Sequence, residues 1–334
     1  MRNTLSGSDR SRLSALMLEP KLAATGWQMT FLGDGDDGPD TVFHPGLNAA
    51  LSSGAEIRFA MSARAYQPDD PWMVEKRVAE MTASGKALFD SPKIRPCEDP
   101  MPGAVAALEP TTYFNGLVTN ELCLKTYQPC DNLLIDGTER AFPMSIVPRL
   151  SRSRMSNHIG AASIAFDDAG VICLCVTGGA AAVSAGKISA SAAGSIDEDD
   201  IVGATSLTGA IADTISRELA EETGLDPRTS VWTRVIAFAR DLTRGGKPEF
   251  LAVSRVKGNW AEIVGDLGED ERNFTAGHLM LDARAMGIDG VNAWMNENSG
   301  RTSYALKSTW EFFYREHARP TSVLSDMLGF WGRS

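Results

Sequence analysis

Three carboxylates, Glu218, Glu221 and Glu222, stand at i, i+3 and i+4 within Arg217-Glu218-Leu219-Ala220-Glu221-Glu222-Thr223-Gly224-Leu225. A helix turns about 100° per residue, so this spacing gathers the acids in one arc. No basic residue is interleaved there, and neighbouring acids repel by roughly 0.2–0.5 kcal/mol per pair unless a cation sits among them. Hard carboxylate oxygens suit Mg²⁺ or Mn²⁺, with water and phosphate oxygens completing the shell. Ile211, Ile215 and Leu219 form an apolar row at successive i+4 steps. On the helical wheel Glu222 falls between Ile211 and Ile215, and Glu218 adjoins Ile211. The acids therefore border a buried stripe, where charge is costly unless paired or liganded. Geometry alone leaves two readings open, a metal site and a solvated acidic face. Arg217, one turn before Glu221, is placed for a charge-assisted hydrogen bond to it.

Residues 217–225 resemble, position for position, the Arg-Glu-aliphatic-x-Glu-Glu-x-Gly-aliphatic core of the Nudix box. Gly203 stands fourteen residues before the Arg, where that box begins. The resemblance covers about residues 158–334 and implies an α+β fold: a Nudix-type α/β/α sandwich with a mixed sheet. It also implies Glu218, Glu221 and Glu222 as ligands of a catalytic Mg²⁺ or Mn²⁺, with Arg217 orienting a neighbouring carboxylate and Glu218 acting as ligand or general base. The implied reaction is hydrolysis of a diphosphate bond in a nucleoside diphosphate linked to another moiety, such as an NDP-sugar or a dinucleotide. One position departs, because the Glu expected six residues after Gly203 is Gly209. Glu198 and Asp199 are candidate replacements. The departure keeps a second reading open, a nucleotide- or ADP-ribose-binding sensor of weak catalytic power. A further acid often comes from outside the box in this family, and Glu249, Glu269 and Glu271 are the candidates.

The anionic substrate so implied requires cations. Lys187, in a Gly/Ala/Ser-rich stretch over 178–195, and Arg240 are the expected substrate-binding residues. Arg244 and Lys247 lie in a turn where either phosphate contact or plain solvation is open, with solvation favoured. A basic, Ser-rich run at Arg149–Arg154 reads as a solvated linker in preference to a phosphate-binding arm.

The elements that must position these residues follow from local pattern. Ile159–Phe166 and Val171–Val176 flank an Asp-Asp-Ala-Gly turn and read as a hairpin. The stretch 178–195 reads as a loop, and a helix is expected over 209–223, closed by Gly224 as a glycine C-cap. Strands are expected over 232–242 and 250–256, and a last helix over 303–316. Earlier in the chain, 56–61 alternates like a strand, Pro71 opens a helix carrying Val74, Val78 and Met81, and 33–40 is turn-rich.

At 334 residues the chain fits two domains, with a boundary expected near residue 150. Residues 1–150 form a smaller N-terminal α+β domain of unassigned role, and 151–334 carry the site. Hydrophobic and charged residues at 43% and 22% are ordinary for a soluble protein. No stretch is long and apolar enough for a membrane span, and no secretion signal is evident. Five cysteines at irregular spacing suit a reducing compartment, and a cytoplasmic location is expected. Cys173 and Cys175, two apart on a strand, read as buried packing. Four scattered histidines disfavour a zinc site. The net charge of −11 disfavours long nucleic acid as partner and makes a divalent cation necessary if the substrate is anionic. A homodimer is compatible with the sequence.

Overall fold

The structure, a computed structural model, describes residues 6–32, 40–85, 88–130, 133–179, 185–226, 229, 231–265, 267, 275–319 and 324. It is a mixed α+β arrangement around a nine-stranded mixed sheet. Along the chain these strands are β1 (Gln28–Thr30), β2 (Thr41–Phe43), β3 (Gly160–Phe166), β4 (Val171–Thr177), β5 (Ile188–Ser189), β6 (Ala192–Ser195), β7 (Val231–Asp241), β8 (Lys247–Val256) and β9 (Thr275–Asp282). The path runs β5-β4-β3-β8-β7-β2-β1, with β6 added to β3 and β9 to β4. Only β3 and β8 pair in parallel; the other pairs are antiparallel.

β3 and β4 form a fork rather than a full hairpin. They meet at Phe166 and Ile172, next to the turn, and then diverge. Asp167 holds that turn by accepting the Ala169 and Val171 N–H groups, and Gly170 supplies its positive φ of 84°. The inner edges of the fork would otherwise expose unpaired backbone. They are satisfied by the segment 188–195, which runs as β5 along β4 and then as β6 along β3. This corrects the expectation of a loop over 178–195: small residues at 188–195 permit the tight strand approach inside the fork. Residues 180–184 of that stretch, and 33–39 of the earlier turn-rich segment, lie outside the described residues.

Side chains of β8 alternate between two cores, as strand geometry requires. Phe250 and Ala252 join one core with Ile211, Ile215 and Leu219 of the Leu207–Thr223 helix. Leu251 and Val253 join the other with Leu306, Trp310 and Phe313 of the Tyr304–His317 helix. The parallel partners β3 and β8 are buried along almost their whole length, as expected for strands covered on both faces.

The large sheet takes strands from both sides of residue 150. β2 pairs with β7 through Thr41, Val42 and Phe43, and Asn48 of the Pro45–Ser52 helix accepts the Phe238 N–H at 2.9 Å. Leu13, Leu47, Leu51 and Val147 share a core with Ile211 and Phe250. A separate three-stranded sheet, Arg58–Met61, Val105–Thr112 and Pro92–Pro96, belongs to the N-terminal part, and a helix over Met73–Ala83 follows Pro71. No helix among the described residues is long and apolar enough to cross a membrane.

Candidate functional site

The Leu207–Thr223 helix begins where the Ser206 hydroxyl accepts the Gly209 N–H at 3.1 Å, and it ends at Gly224 in the left-handed conformation. Its start precedes the expected one by two residues because the Ser206 cap, rather than the apolar period, sets it. Ile211, Ile215 and Leu219 are fully buried, each contributing about 1.5–3 kcal/mol, and their burial fixes the rotation of the helix. That rotation leaves Glu221 exposed and puts Glu218 and Glu222 at the border of the core.

Arg217 is the hub of an acidic cluster. Its Nη1 donates to Glu218 Oε1 at 3.0 Å and to Glu221 Oε2 at 3.2 Å, and its Nη2 reaches Asp200 at 3.2 Å and Asp197 at 3.4 Å. Burial alone would lower the Arg217 guanidinium, but Glu218, Asp200 and Glu221 outweigh it and hold it above its ordinary value. Asp197 caps the short Glu198–Ile201 helix and accepts Lys93 Nζ at 2.5 Å, so a residue of the Pro92–Pro96 strand braces the cluster. Asp200 also accepts the Thr214 hydroxyl at 3.0 Å. The acids that reach the helix from this segment are thus Asp197 and Asp200. Glu198 and Asp199, the expected replacements for the acid missing at Gly209, point to solvent. A four-residue helix turns its cap and its third residue to one side and its first two to the other.

Glu218 packs against Gly194 of β6 so closely that any Cβ at 194 would collide with its carboxyl group. Burial pushes Glu218 up to about 7, with Glu221 adding and Arg217 opposing. Glu222 accepts the Ala193 N–H at 3.2 Å, and burial, with the Glu218 charge adding, drives it well above the usual carboxylate range. Among the described residues no group of three or more His, Cys, Asp or Glu converges into a cage for a metal ion. Glu218 and Glu221 are turned instead to Arg217.

Glu222 lines a cavity of about 290 Å³ at the fork, together with Cys175 of β4, Ser189 of β5 and Ala193 and Gly194 of β6. The remaining wall is of mixed charge and was not evident from spacing. It carries Lys247 and Glu249 of β8, Arg244 of the preceding turn and Asp241 at the end of β7, with Tyr113 and Tyr304. Lys247 Nζ donates to Glu249 Oε1 at 2.5 Å, Arg244 lies 3.5 Å from the same oxygen, and Arg244 Nε donates to Glu121 at 2.7 Å. Burial lowers the Lys247 ammonium, with Glu249 opposing. Burial also acts to lower Arg244, but Glu121 and Glu249 overcome it. Beside them His158 is fully enclosed and held well below its ordinary value, first by burial and then by the charges of Lys247 and Arg244. Burial raises Asp241 to about 7, and its Oδ2 has no hydrogen-bond partner although Oδ1 accepts from Thr243.

Arg244 and Lys247 are therefore not a solvated turn, because the 3₁₀ turn at 242–244 folds them inward over Glu249. Arg240, an expected substrate-binding residue, faces elsewhere. It is fully buried and donates to Asp99 at 2.9 Å, to the Pro148 carbonyl at 2.9 Å and to the Gly246 carbonyl at 3.2 Å, which makes it a structural brace. Lys187 does not line the cavity, and its Nζ donates to the Thr302 carbonyl at 3.5 Å. Of the expected further acids Glu249 is in the cavity wall, whereas Glu269 and Glu271 lie outside the described residues. Cys173 and Cys175 are both buried, and burial raises Cys173 to about 12 and Cys175 further.

No protein-family model matches the chain, and no curated protein matches it. Among solved structures the chain is similar to DR0079 from Deinococcus radiodurans, at 13% identity and a TM-score of 0.33. That likeness covers 49% of this chain and 85% of the other.

Proposed function

We propose that the protein is a Nudix-type hydrolase that cleaves the diphosphate bond of a nucleoside diphosphate linked to another moiety, with Mg²⁺ or Mn²⁺ as cofactor. In this reading the large sheet, with a core on each face, is the central layer of an α/β/α sandwich. The observation that carries it is one cavity with two poles, the helix carboxylate Glu222 on one wall and Lys247 with Arg244 on the other. The donor set fits the cation: Glu218 and Glu222 are hard oxygen donors whose charge burial disfavours, which is the environment a divalent ion relieves. Glu218, Glu221 and Glu222 would hold it, which requires Arg217 to give up part of its contact with Glu218 and Glu221. When bound, the cation neutralises diphosphate oxygens and lowers the pKa of an attacking water.

The chain's own residues divide the remaining work. Lys247 and Arg244 would meet the diphosphate on the far wall, which requires them to share donors now held by Glu249 and Glu121. Glu218 serves either as a cation ligand or as the general base. Arg217 orients Glu218 and Glu221, and Tyr113 and Tyr304 offer ring faces or hydroxyls to the rest of the substrate. Turnover of a panel of NDP-sugars, dinucleotides and nucleotides, read as release of nucleoside monophosphate or phosphate, tests the proposal. Cleavage of at least one class should require Mg²⁺ or Mn²⁺ and fall about 100-fold or more in Glu222→Gln. No turnover of any member with either cation overturns it.

Two observations favour a second reading, a nucleotide-binding sensor: Arg217 already occupies Glu218 and Glu221, and position 209 offers no carboxylate. Calorimetry showing tight nucleotide or ADP-ribose binding that survives Glu222→Gln, with no product from the parent chain, selects it.

A further inference from the structure

A second cavity, of about 400 Å³, shares no lining residue with the first. Its apolar lining comes from Ala141, Pro143, Ile146 and Pro148. Four cations also line it, Lys21, Arg140, Arg152 and Arg154, against one acid, Glu19. In a chain of net charge −11 such a concentration of positive charge is unusual and runs against the overall field.

Around it three acids, Glu19, Asp69 and Asp70, face five cations, the four in the lining and Arg149. Glu19 accepts from both Arg149 and Arg152, and Asp69 is shared between Arg154 and Arg140. Arg140 is about nine-tenths buried; its Nη2 pairs with Asp70 at 3.1 Å, and its Nε has no hydrogen-bond partner. Lys21 has no ion-pair partner among the described residues. Buried guanidinium donors left unpaired are costly, and phosphate oxygens are their best geometric match.

The rim is unusual as well. Met144 and Ser145 are consecutive non-glycine residues in the left-handed region, at φ 56° and 58°. Each such residue costs about 1–3 kcal/mol and persists where its surroundings enforce it. Here the result is a Met144 side chain that lines the cavity while 78% exposed. An adaptable thioether at that position suits contact with an apolar ligand body.

We infer that this cavity binds a phosphate monoester carrying an apolar or aromatic group, the phosphate meeting Arg152, Arg154 and Lys21 and the apolar body meeting Pro143, Met144 and Ile146. The basic run Arg149–Arg154 is thereby a ligand-binding element rather than a solvated linker. The inference does not depend on the reading of the first cavity.

Calorimetric titration of the full chain with phenyl phosphate, without divalent cation, tests it, with benzoate and inorganic phosphate in parallel. Phenyl phosphate should bind at one site, at least about tenfold tighter than either comparison compound. Arg152→Gln combined with Arg154→Gln should weaken it about tenfold or more while leaving the melting temperature within a few degrees, since both side chains are solvent-exposed. Met144→Glu, at an exposed position, should weaken it similarly, and Glu222→Gln should leave it unchanged. Affinity untouched by both rim variants, binding lost in Glu222→Gln, or no binding at millimolar phenyl phosphate overturns the site. Benzoate binding as tightly as phenyl phosphate overturns the phosphate assignment.

Discussion

The acidic pole around Arg217, behind the Gly194 wall of the first cavity, and the pole of Lys247 and Arg244 in its lining are both charge clusters, yet they are built in opposite ways. The acidic pole around Arg217 is half-exposed and made mostly within one helix, with Asp197 and Asp200 from the short segment before it. The opposite pole joins two acids, Glu121 and Glu249, with two cations, Arg244 and Lys247, is largely withdrawn from solvent, and closes over a fully buried His158. A half-exposed cluster can exchange its internal cation for a bound one at small cost. A buried cluster cannot, because every charge in it is balanced against the desolvation of its partner. Under the proposed function the acidic pole would be the one to receive a metal ion, and the opposite pole would stay fixed.

The largest test of that contrast removes one charge from the buried pole. Lys247→Gln leaves Glu249 with less than its full compensation, and a loss of about 3–5 kcal/mol in unfolding free energy is expected by chemical denaturation. Replacing Lys247 and Glu249 together by Met and Leu should recover most of it, since a matched apolar pair carries no stranded charge. A single variant that costs under about 1 kcal/mol would place this pole with ordinary surface pairs.

Removing the hub of the other pole should cost less and respond to metal. Arg217→Gln is expected to lower stability by about 1–2 kcal/mol without divalent ions, and millimolar Mg²⁺ should restore more of the loss than the same ionic strength of Na⁺. Equal effects of the two salts in a melting experiment would mean that the carboxylates do not hold the cation.

The smallest effect is a pH slope. Asp241 and Asp40 are raised, each chiefly by burial, to about 7 and about 6, from an ordinary 3.8. A carboxyl group raised on folding contributes stability that is fully present below the unfolded value and is lost as pH rises through the folded one. Stability should therefore fall between pH 4 and pH 7, by up to about 1.4 kcal/mol per pH unit for each group. Asp241→Asn, which keeps an oxygen for Thr243, should lower that slope by one group's share across pH 4 to 7, leaving the shares of Asp40, Glu218 and Glu222. An unchanged slope in the variant would assign the titration to other groups.

Legibility in the sequence followed the range of the interactions. The Glu-rich helix, its Gly224 stop, the paired strands over 231–241 and 247–256 and the last helix all rest on contacts a few residues apart, where side-chain period and capping chemistry act. The fork was not legible, because the apolar runs in 160–166 and 171–177 are equally compatible with a full hairpin. What opens it is the return of 188–195 between the two strands. Arg240 and Lys247 illustrate the same limit. Both are cations on one β-ribbon, and nothing in their spacing says that the first binds Asp99 while the second faces the cavity.

By itself, then, the sequence determined the acidic arc of Glu218, Glu221 and Glu222 and the contact of Arg217 with Glu221, because a helix fixes its own neighbours at i+3 and i+4. Only the tertiary structure decided which of those acids meets a cavity, which cations oppose it and which acids from 197–200 turn inward. Those outcomes depend on the docking of distant strands and turns, including Lys93, Tyr113 and Glu121 from the first half of the chain. Burial, which sets the charge states on both walls, is a property of that docking and has no local signature.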